Sequence, residues 1–177
     1  MKRLATFISR LFDPFIMLAV VFIVHTYRIP IFLYTFLTMV ILPLALYVIA
    51  WKTKVVSNWD ITNRTERPKI LWPMVLIECI CLFVFRLWII IPVLVAITGL
   101  AIITHWWKIS GHAMASAFTA GTLVMTYGWS WWPVLLIPLI VSWARVVRRD
   151  HTVTQVVAGM TYSLGILIGS RVMFHVS

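Results

Sequence analysis

Long apolar runs with no charged residue limit the folds that are open to this sequence. The run from Pro30 to Trp51 contains no Asp, Glu, Lys or Arg. A helix needs about 20 apolar residues to cross the hydrocarbon core of a bilayer, so this run predicts a transmembrane helix. Across the chain 62% of residues are apolar and 11% are charged, against about 45–50% and ~25% in soluble domains. We therefore predict an integral membrane protein.

Seven segments are apolar and long enough to be candidate spans. They are Pro14 to Val24, Pro30 to Trp51, Ile70 to Phe85, Trp88 to Trp106, His112 to Tyr127, Trp131 to Val147 and Thr152 to Phe174. The first, third and sixth segments are short, so we expect six or seven crossings. Backbone polar groups in lipid must be satisfied within each segment, which predicts an all-α, polytopic transmembrane helical bundle.

Basic residues are unevenly divided between the two sides that seven crossings would create. One side holds the N-terminus, the loop 52–69, the turn at Lys108 and the stretch 145–151, and it carries twelve of the fifteen lysines and arginines. These are Lys2, Arg3, Arg10, Lys52, Lys54, Arg64, Arg67, Lys69, Lys108, Arg145, Arg148 and Arg149. The positive-inside rule assigns this side to the cytoplasm.

Other sequence features define the domain organisation and the partners. The net charge of +10 fits membrane topology and anionic headgroups better than nucleic acid. The N-terminal apolar run has no small-residue cleavage site, so we expect it to be retained, and residues 1–12 could form an interfacial helix. The chain has no internal repeat and a single long loop, which predicts one domain over 1–177. Its oligomeric state is not indicated.

Two features lie within the predicted spans. Burying the charged carboxylate of Glu78 in lipid costs free energy. We therefore expect this side chain to face the helix bundle, either protonated or paired. Small residues should allow close approach of helices. The glycines concerned are Gly121, Gly159, Gly165 and Gly169.

Polar residues that could carry chemistry are concentrated on the predicted cytoplasmic side. They occupy three segments, Asn58–Lys69, Lys108–His112 and Ala144–Gln155. Ionisable groups near lipid are costly unless they are paired or functional. We therefore predict that these segments form one polar site.

The residue types in these segments suit a phosphate group. Arg67, Lys108 and Arg145 supply fixed positive charge, and the planar fork of Arg matches two phosphate oxygens. Ser110 and Gly111 precede an apolar helix. With Ser110 as N-cap, the N–H groups of the first turn would form an anion cradle.

Two histidines in the same segments could supply proton transfer and nucleophilic attack. His112 and His151 each stand at the predicted start of a helix. The chain has five carboxylates and they form no cluster suited to Mg²⁺ or Zn²⁺, and Cys79 and Cys81 do not form a metal pair. This inventory favours metal-free phosphoryl transfer through a phosphohistidine, with no cofactor.

The three segments resemble the signature of the type 2 phosphatidic acid phosphatases. That signature reads K-x6-R-P, P-S-G-H and S-R-x5-H-x3-D. The corresponding parts here are Asp60-x6-Arg67-Pro68, Ile109-Ser110-Gly111-His112 and Ala144-Arg145-x5-His151-x3-Gln155. The order and internal spacing match from Asp60 to Gln155. The resemblance implies the core helix bundle of that family and an integral-membrane phosphatase that acts on a lipid phosphate or an isoprenyl (di)phosphate. The distribution of basic residues, and not the resemblance, predicts that it acts at the cytoplasmic leaflet.

The resemblance also implies a role for each matched residue. His151 attacks phosphorus and is transiently phosphorylated, and His112 protonates the leaving oxygen and later activates water. The phosphoryl oxygens are held by Arg67, Arg145, Ser110 and the N–H of Gly111.

Four positions depart from the family signature. Its Lys, Pro, Ser and Asp are Asp60, Ile109, Ala144 and Gln155 here. The family's Asp orients the nucleophilic His and supports its positive charge. The amide oxygen of Gln155, one turn after His151, could orient the ring without adding charge.

These departures predict a weaker nucleophile and leave an alternative function open. Asp60 or Asp150 could restore a carboxylate, and Lys108 could replace the missing Lys charge. The alternative is a weak or inactive relative that binds anionic lipid headgroups or a partner protein.

Overall fold

The computed structural model describes residues 1–26, 32–86 and 88–175, and this part of the chain is helical without any strand. The all-α prediction is thus confirmed for the described residues. The α-helices are α1 (Lys2–Leu11), α2 (Pro14–Thr26), α3 (Phe32–Phe36), α4 (Leu42–Lys52), α5 (Pro68–Phe85), α6 (Ile91–Thr104), α7 (Gly111–Tyr127), α8 (Leu136–Val147) and α9 (Val153–His175). A π-helical turn joins α3 to α4 at Leu37–Ile41, and 3-10 turns lie at Arg64–Glu66, Trp88–Ile90 and Trp129–Leu135.

Five helical stretches in the described ranges are long and apolar enough to cross a membrane. They are Lys2–Val24, Phe32–Lys52, Arg64–Phe85, Trp129–Val147 and Val153–Arg171, with Ile91–Thr104 as a shorter apolar helix. Large apolar side chains on these stretches are exposed, among them Leu33, Phe83 and Ile168. Apolar surface on this scale is consistent with a membrane protein. The number of crossings stays a prediction.

The chain divides into two compact units. The first unit comprises Met1–His25 and Ile109–Ser177, and the second unit comprises Thr26–Lys108. The single-domain prediction stays a prediction, and each unit is described by itself.

Helix α7 is the centre of the first unit, where it packs against α8, α9 and the turn Trp129–Leu135. Its buried face consists largely of small residues, including Ala113, Ala117 and Ala120. Small side chains let the neighbouring backbones approach closely. Polar side chains reinforce this packing, since Ser163 Oγ donates to the Met114 carbonyl at 2.7 Å.

Two glycines account for the closest contacts of this packing. A Cβ on Gly159 of α9 would lie 2.6 Å from the Ser110 carbonyl oxygen and 3.2 Å from the Met114 nitrogen. A Cβ on Gly121 of α7 would lie 2.5 Å from Leu167 Cδ1. The close-packing prediction therefore holds at Gly121 and Gly159. It is wrong for Gly165 and Gly169, where a Cβ would meet no atom of the described residues within 4 Å.

Helix α1 packs against α8 within the first unit. Ala5 and Ser9 are buried in this contact, whereas Leu4, Phe7 and Leu11 form an exposed apolar ridge. An amphipathic helix of this kind suits the border between protein and lipid. The interfacial position of residues 1–12 stays a prediction.

The second unit is built around α5, which packs against α6, α4 and the π turn. Pro43 stands at the start of α4 and has no N–H, so the regular α-helical bond to the Met39 carbonyl cannot form there. This missing bond accounts for the wider π turn before α4. Arg64 Nη1 donates to the carbonyls of Thr104 and His105 and thereby satisfies the C-terminal end of α6.

We predict that Gly159→Ala lowers the thermal stability of the protein, because the new methyl would collide with backbone at the start of α7. Overpacking of this kind costs about 1–3 kcal/mol. Gly165→Ala is the matched control on the same helix, and the better helix propensity of Ala should leave its stability unchanged or slightly higher. Melting in detergent, followed by circular dichroism, measures both variants. Equal melting temperatures for the two would contradict the predicted contact.

Candidate active site

His151 and Gln155 lie together at the start of α9. His151 is buried, with 6% of its surface exposed, and its Nδ1 lies 3.0 Å from Gln155 Oε1. The backbone N–H of Thr152 donates to the same oxygen at 3.2 Å. The Gln155 atom that accepts from the Thr152 N–H is the amide oxygen, which has no hydrogen to donate. In its bond with this oxygen, Nδ1 of His151 is therefore the donor. The lone pair of the neutral ring is then on Nε2, which makes Nε2 the nucleophilic atom.

The same glutamine completes a capping box at the start of α9. Thr152 Oγ1 accepts from the backbone N–H of Gln155 at 3.4 Å, and Gln155 Oε1 accepts from the backbone N–H of Thr152 at 3.2 Å. This reciprocal pair satisfies two N–H groups at the helix start. Gln155 therefore fixes the helix start and the histidine ring with one side chain. The T-x-x-Q pattern Thr152–Gln155 is the sequence signal that could have revealed this role.

Arg145 is a buried guanidinium near the C-terminal end of α8, with 1% of its surface exposed. Its Nη1 donates to Ser9 Oγ of α1 at 2.7 Å, and its Nη2 lies 3.2 Å from Asp150 Oδ2. The same carboxylate oxygen lies 2.9 Å from Arg148 Nε. Arg145 cannot lose its charge, so these oxygens are what make its burial tolerable. The contact with Ser9 has no signal in the sequence beyond one small polar residue in an amphipathic helix.

A tight turn connects Arg145 to His151. The backbone N–H groups of Asp150 and His151 both donate to the Arg145 carbonyl, at 3.1 and 3.4 Å. Arg149 adopts φ 62°, the left-handed conformation that such a reversal requires. The turn therefore holds the histidine next to the end of α8. The Asp150 carboxylate contacts Arg145 and Arg148, and its use as the carboxylate partner of His151 stays a prediction.

The segment Ser110–His112 forms the start of α7. Ser110 is the N-cap, as its sequence position predicts, and its Oγ accepts from the backbone N–H of Ala113 at 3.4 Å. Its own N–H donates to the Gln155 carbonyl at 3.2 Å, which joins the start of α7 to the start of α9. Gly111 and His112 are the first residues of α7, and His112 is buried with 8% of its surface exposed.

These bonds link four of the predicted site residues in one series. The backbone N–H of Ser110 donates to the Gln155 carbonyl, the Gln155 side chain bonds the His151 ring, and the backbone N–H of His151 donates to the Arg145 carbonyl. The series lies entirely within the first unit, and two helix starts, with their positive dipole ends, belong to it. A cluster of this composition can hold an anion and present an imidazole nitrogen to it.

The other predicted site residues belong to the second unit. Arg67 is buried there with 8% exposed, and its Nε donates to the Ile61 carbonyl at 3.1 Å. Asp60 is half-buried in the loop before it, and Lys108 is the last residue of the unit. The expected convergence of Arg67, Asp60 and Lys108 with the histidines stays a prediction. Within the described ranges no group of three or more His, Cys, Asp or Glu side chains is arranged to hold a metal ion.

No protein-family model matches this chain, and neither the curated proteins nor the solved structures contain a match.

We predict that Ser9→Ala destabilises the protein, since it removes an oxygen that accepts from the buried Arg145 guanidinium. Loss of such a partner costs about 1–3 kcal/mol. Thr6→Ala on the same helix is the control, because the Thr6 hydroxyl donates to the Lys2 carbonyl on the exposed face. Chemical or thermal unfolding in detergent measures both. A loss in Thr6→Ala as large as in Ser9→Ala would contradict the assignment.

Proposed function

We propose that this protein is an integral-membrane phosphatase that hydrolyses a lipid phosphate or an isoprenyl (di)phosphate through a phosphohistidine intermediate. The observation that carries the proposal is the bonded series of Ser110, Gln155, His151 and Arg145, in which the ring of His151 donates from Nδ1. The resemblance of the three sequence segments to the type 2 phosphatidic acid phosphatases supports the same reading. The proposed architecture is the core bundle of that family with six or seven crossings.

In the proposed first step, the Nε2 lone pair of His151 attacks phosphorus. An N–P bond forms as the bond from phosphorus to the lipid oxygen breaks, and His112 gives a proton to that leaving oxygen. In the second step His112 takes a proton from water, the hydroxyl adds to phosphorus, and Nε2 leaves with the electron pair of the N–P bond. Free phosphate and the original His151 result, and no metal takes part in either step.

Charge on the phosphoryl oxygens is held by fixed donors in this proposal. Arg145 is kept in place by Ser9 and Asp150, and the N–H groups at the start of α7 point toward its N-terminal end. Such preorganised donors act most strongly in a site from which water is excluded. Arg67 and Lys108 stay predicted phosphate-binding residues on the basis of the sequence.

The proposed substrate and location follow from the membrane character of the chain. A phosphate on a lipid or a polyprenol lies at the bilayer surface, where helix starts rich in Arg and Lys can reach it. The basic residues counted from the sequence favour the cytoplasmic leaflet. Membrane lipids are thus both the surroundings and the source of substrate.

We predict that His151→Ala abolishes phosphate release, because it removes the Nε2 atom that is proposed to form the N–P bond. The assay uses purified protein with phosphatidic acid, phosphatidylglycerophosphate and polyprenyl phosphates, and wild-type activity should survive a chelator. His105→Ala is the control, since His105 is exposed in the second unit and accepts from Trp72 Nε1 at 3.1 Å. Its activity should equal that of wild type. Phosphate release by His151→Ala at the wild-type rate would refute the proposal.

Gln155 favours one second candidate, a weak or inactive relative that binds anionic headgroups or a partner protein. An amide can orient His151, but it adds no negative charge to support a phosphorylated ring. Vanadate separates the two functions. A phosphoryl-transfer site binds it as a five-coordinate mimic, so it should inhibit turnover or compete with lipid phosphate, whereas absence of competition together with absence of turnover favours the binding role.

We predict that Gln155→Glu raises the rate of phosphate release. Glutamate has the same length, so it can keep both capping bonds, and it makes the bond to His151 charge-assisted, worth about 1 kcal/mol more or roughly fivefold in rate. Gln155→Leu should lower the rate, because the ring loses its partner. Thr152→Ala is the control that weakens the capping box without touching the imidazole. A rate loss in Thr152→Ala equal to that in Gln155→Leu would show that capping, and not ring orientation, is what Gln155 contributes.

A further inference from the structure

Glu78 is a buried acid that the proposed phosphatase chemistry does not use. It lies in α5 of the second unit, inside the span Arg64–Phe85, and none of its surface is exposed. In the described part of the chain neither carboxyl oxygen has a hydrogen-bond partner. The negative charge of such a side chain must be either balanced by a partner or removed.

The elements packed against α5 place little charge near this acid. Those elements are α6, α4, the π turn and the 3-10 turns at Arg64–Glu66 and Trp88–Ile90. The titratable residues that they carry are Tyr47, Lys52, Arg64 and Glu66. Tyr34 and His105 also contact α5, at Phe85 and Trp72. On α5 itself the titratable residues are Lys69, Cys79 and Cys81. Neither α6 nor the π turn contributes any.

Distance along the helix separates Glu78 from the nearest cations of α5 and its C-cap. Lys69 precedes Glu78 by nine residues and Arg86, the C-cap, follows it by eight, which corresponds to about 12–13 Å at the rise of an α-helix. Cys81 lies one turn after Glu78 and is within hydrogen-bonding reach of Thr38 in the π turn. Cys81 interacts electrostatically with Glu78, and among the described residues the Glu78 carboxyl has no hydrogen-bond partner.

An ionised carboxylate without a partner is expensive in such surroundings. Taking an isolated charge out of water costs far more than a fold can supply, so the group becomes neutral instead. A carboxyl group does this by binding a proton or a metal cation. A cation needs roughly six oxygen ligands, and no second acidic side chain accompanies Glu78 on the neighbouring elements at this depth.

We propose that Glu78 is a proton-binding site of the second unit, occupied at neutral pH. The ligand is a single proton, held as a carboxylic acid on α5 in the interior of the second unit. Any rearrangement of the second unit that brings Glu78 into contact with water releases this proton. The site is independent of phosphate chemistry, and it stands whether or not the protein is a phosphatase.

Carbon-13 NMR of the whole protein tests this directly, because Glu66 and Glu78 are the chain's two glutamates. Protein labelled with ¹³C at the glutamate side-chain carboxyl, purified in detergent, gives one resonance from each. We expect the Glu78 resonance at the position of a protonated acid at neutral pH. Glu66 is the internal reference, since it accepts from the Ser57 backbone N–H at 2.8 Å and should appear as a carboxylate.

Two variants assign the signals and keep the test decisive. Glu66→Gln leaves the Glu78 resonance alone and does not disturb the interior of the second unit, so the result does not depend on whether Glu78→Gln folds. Glu78→Gln, where it folds, should remove the protonated signal and no other. A Glu78 resonance at the carboxylate position at neutral pH would overturn the proposal. A protonated-acid signal that shifts when sodium or potassium is added at constant pH would overturn it too, in favour of a cation site.

Discussion

The contact between the starts of α7 and α9 is the interaction on which the candidate site depends. The Ser110 N–H binds the Gln155 carbonyl, and Gly159 provides the room that this approach requires. Both helices begin at this point, so two sets of unsatisfied N–H groups and two positive dipole ends meet there. His112 and His151 stand at these same helix starts. Backbone geometry therefore makes the location attractive to an anion before any side-chain charge is added.

Gln155 shows how a residue that differs from the resembled signature can have a structural reason. Its side chain reaches back to the Thr152 N–H and also to Nδ1 of His151. A capping box uses Glu or Gln at this position because the side chain must be long enough to return to the helix start. Asp is one methylene shorter. The amide therefore serves the start of α9 as well as the ring, and its presence does not by itself indicate loss of function.

Periodicity and local chemistry in the sequence predicted the helices, the N-cap at Ser110 and the approach of Gln155 to His151, because each depends on residues within one or two turns. The contact of Ser9 with Arg145 could not be predicted in this way, since 136 positions separate the two residues. The role of Asp150 was also missed. Its spacing from Arg145 and Arg148 was visible, but the direction of its side chain depends on the reversal at Arg149. Packing at Gly165 was wrongly predicted because glycine content does not say which face of a helix meets a neighbour.

Arg145 and Glu78 are both buried ionisable groups, and the fold treats them differently for a chemical reason. A guanidinium keeps its charge at any accessible pH, so it can be buried only where oxygens surround it. The Arg145 guanidinium accordingly donates to Ser9 Oγ of α1 and pairs with the Asp150 carboxylate of the following turn. A carboxyl group can become neutral by binding a proton, and Glu78 is buried without such partners in the described structure. The contact of α1 with α8 is therefore part of what makes a permanent cation tolerable beside His151, whereas the interior of the second unit can hold its acid by protonation alone.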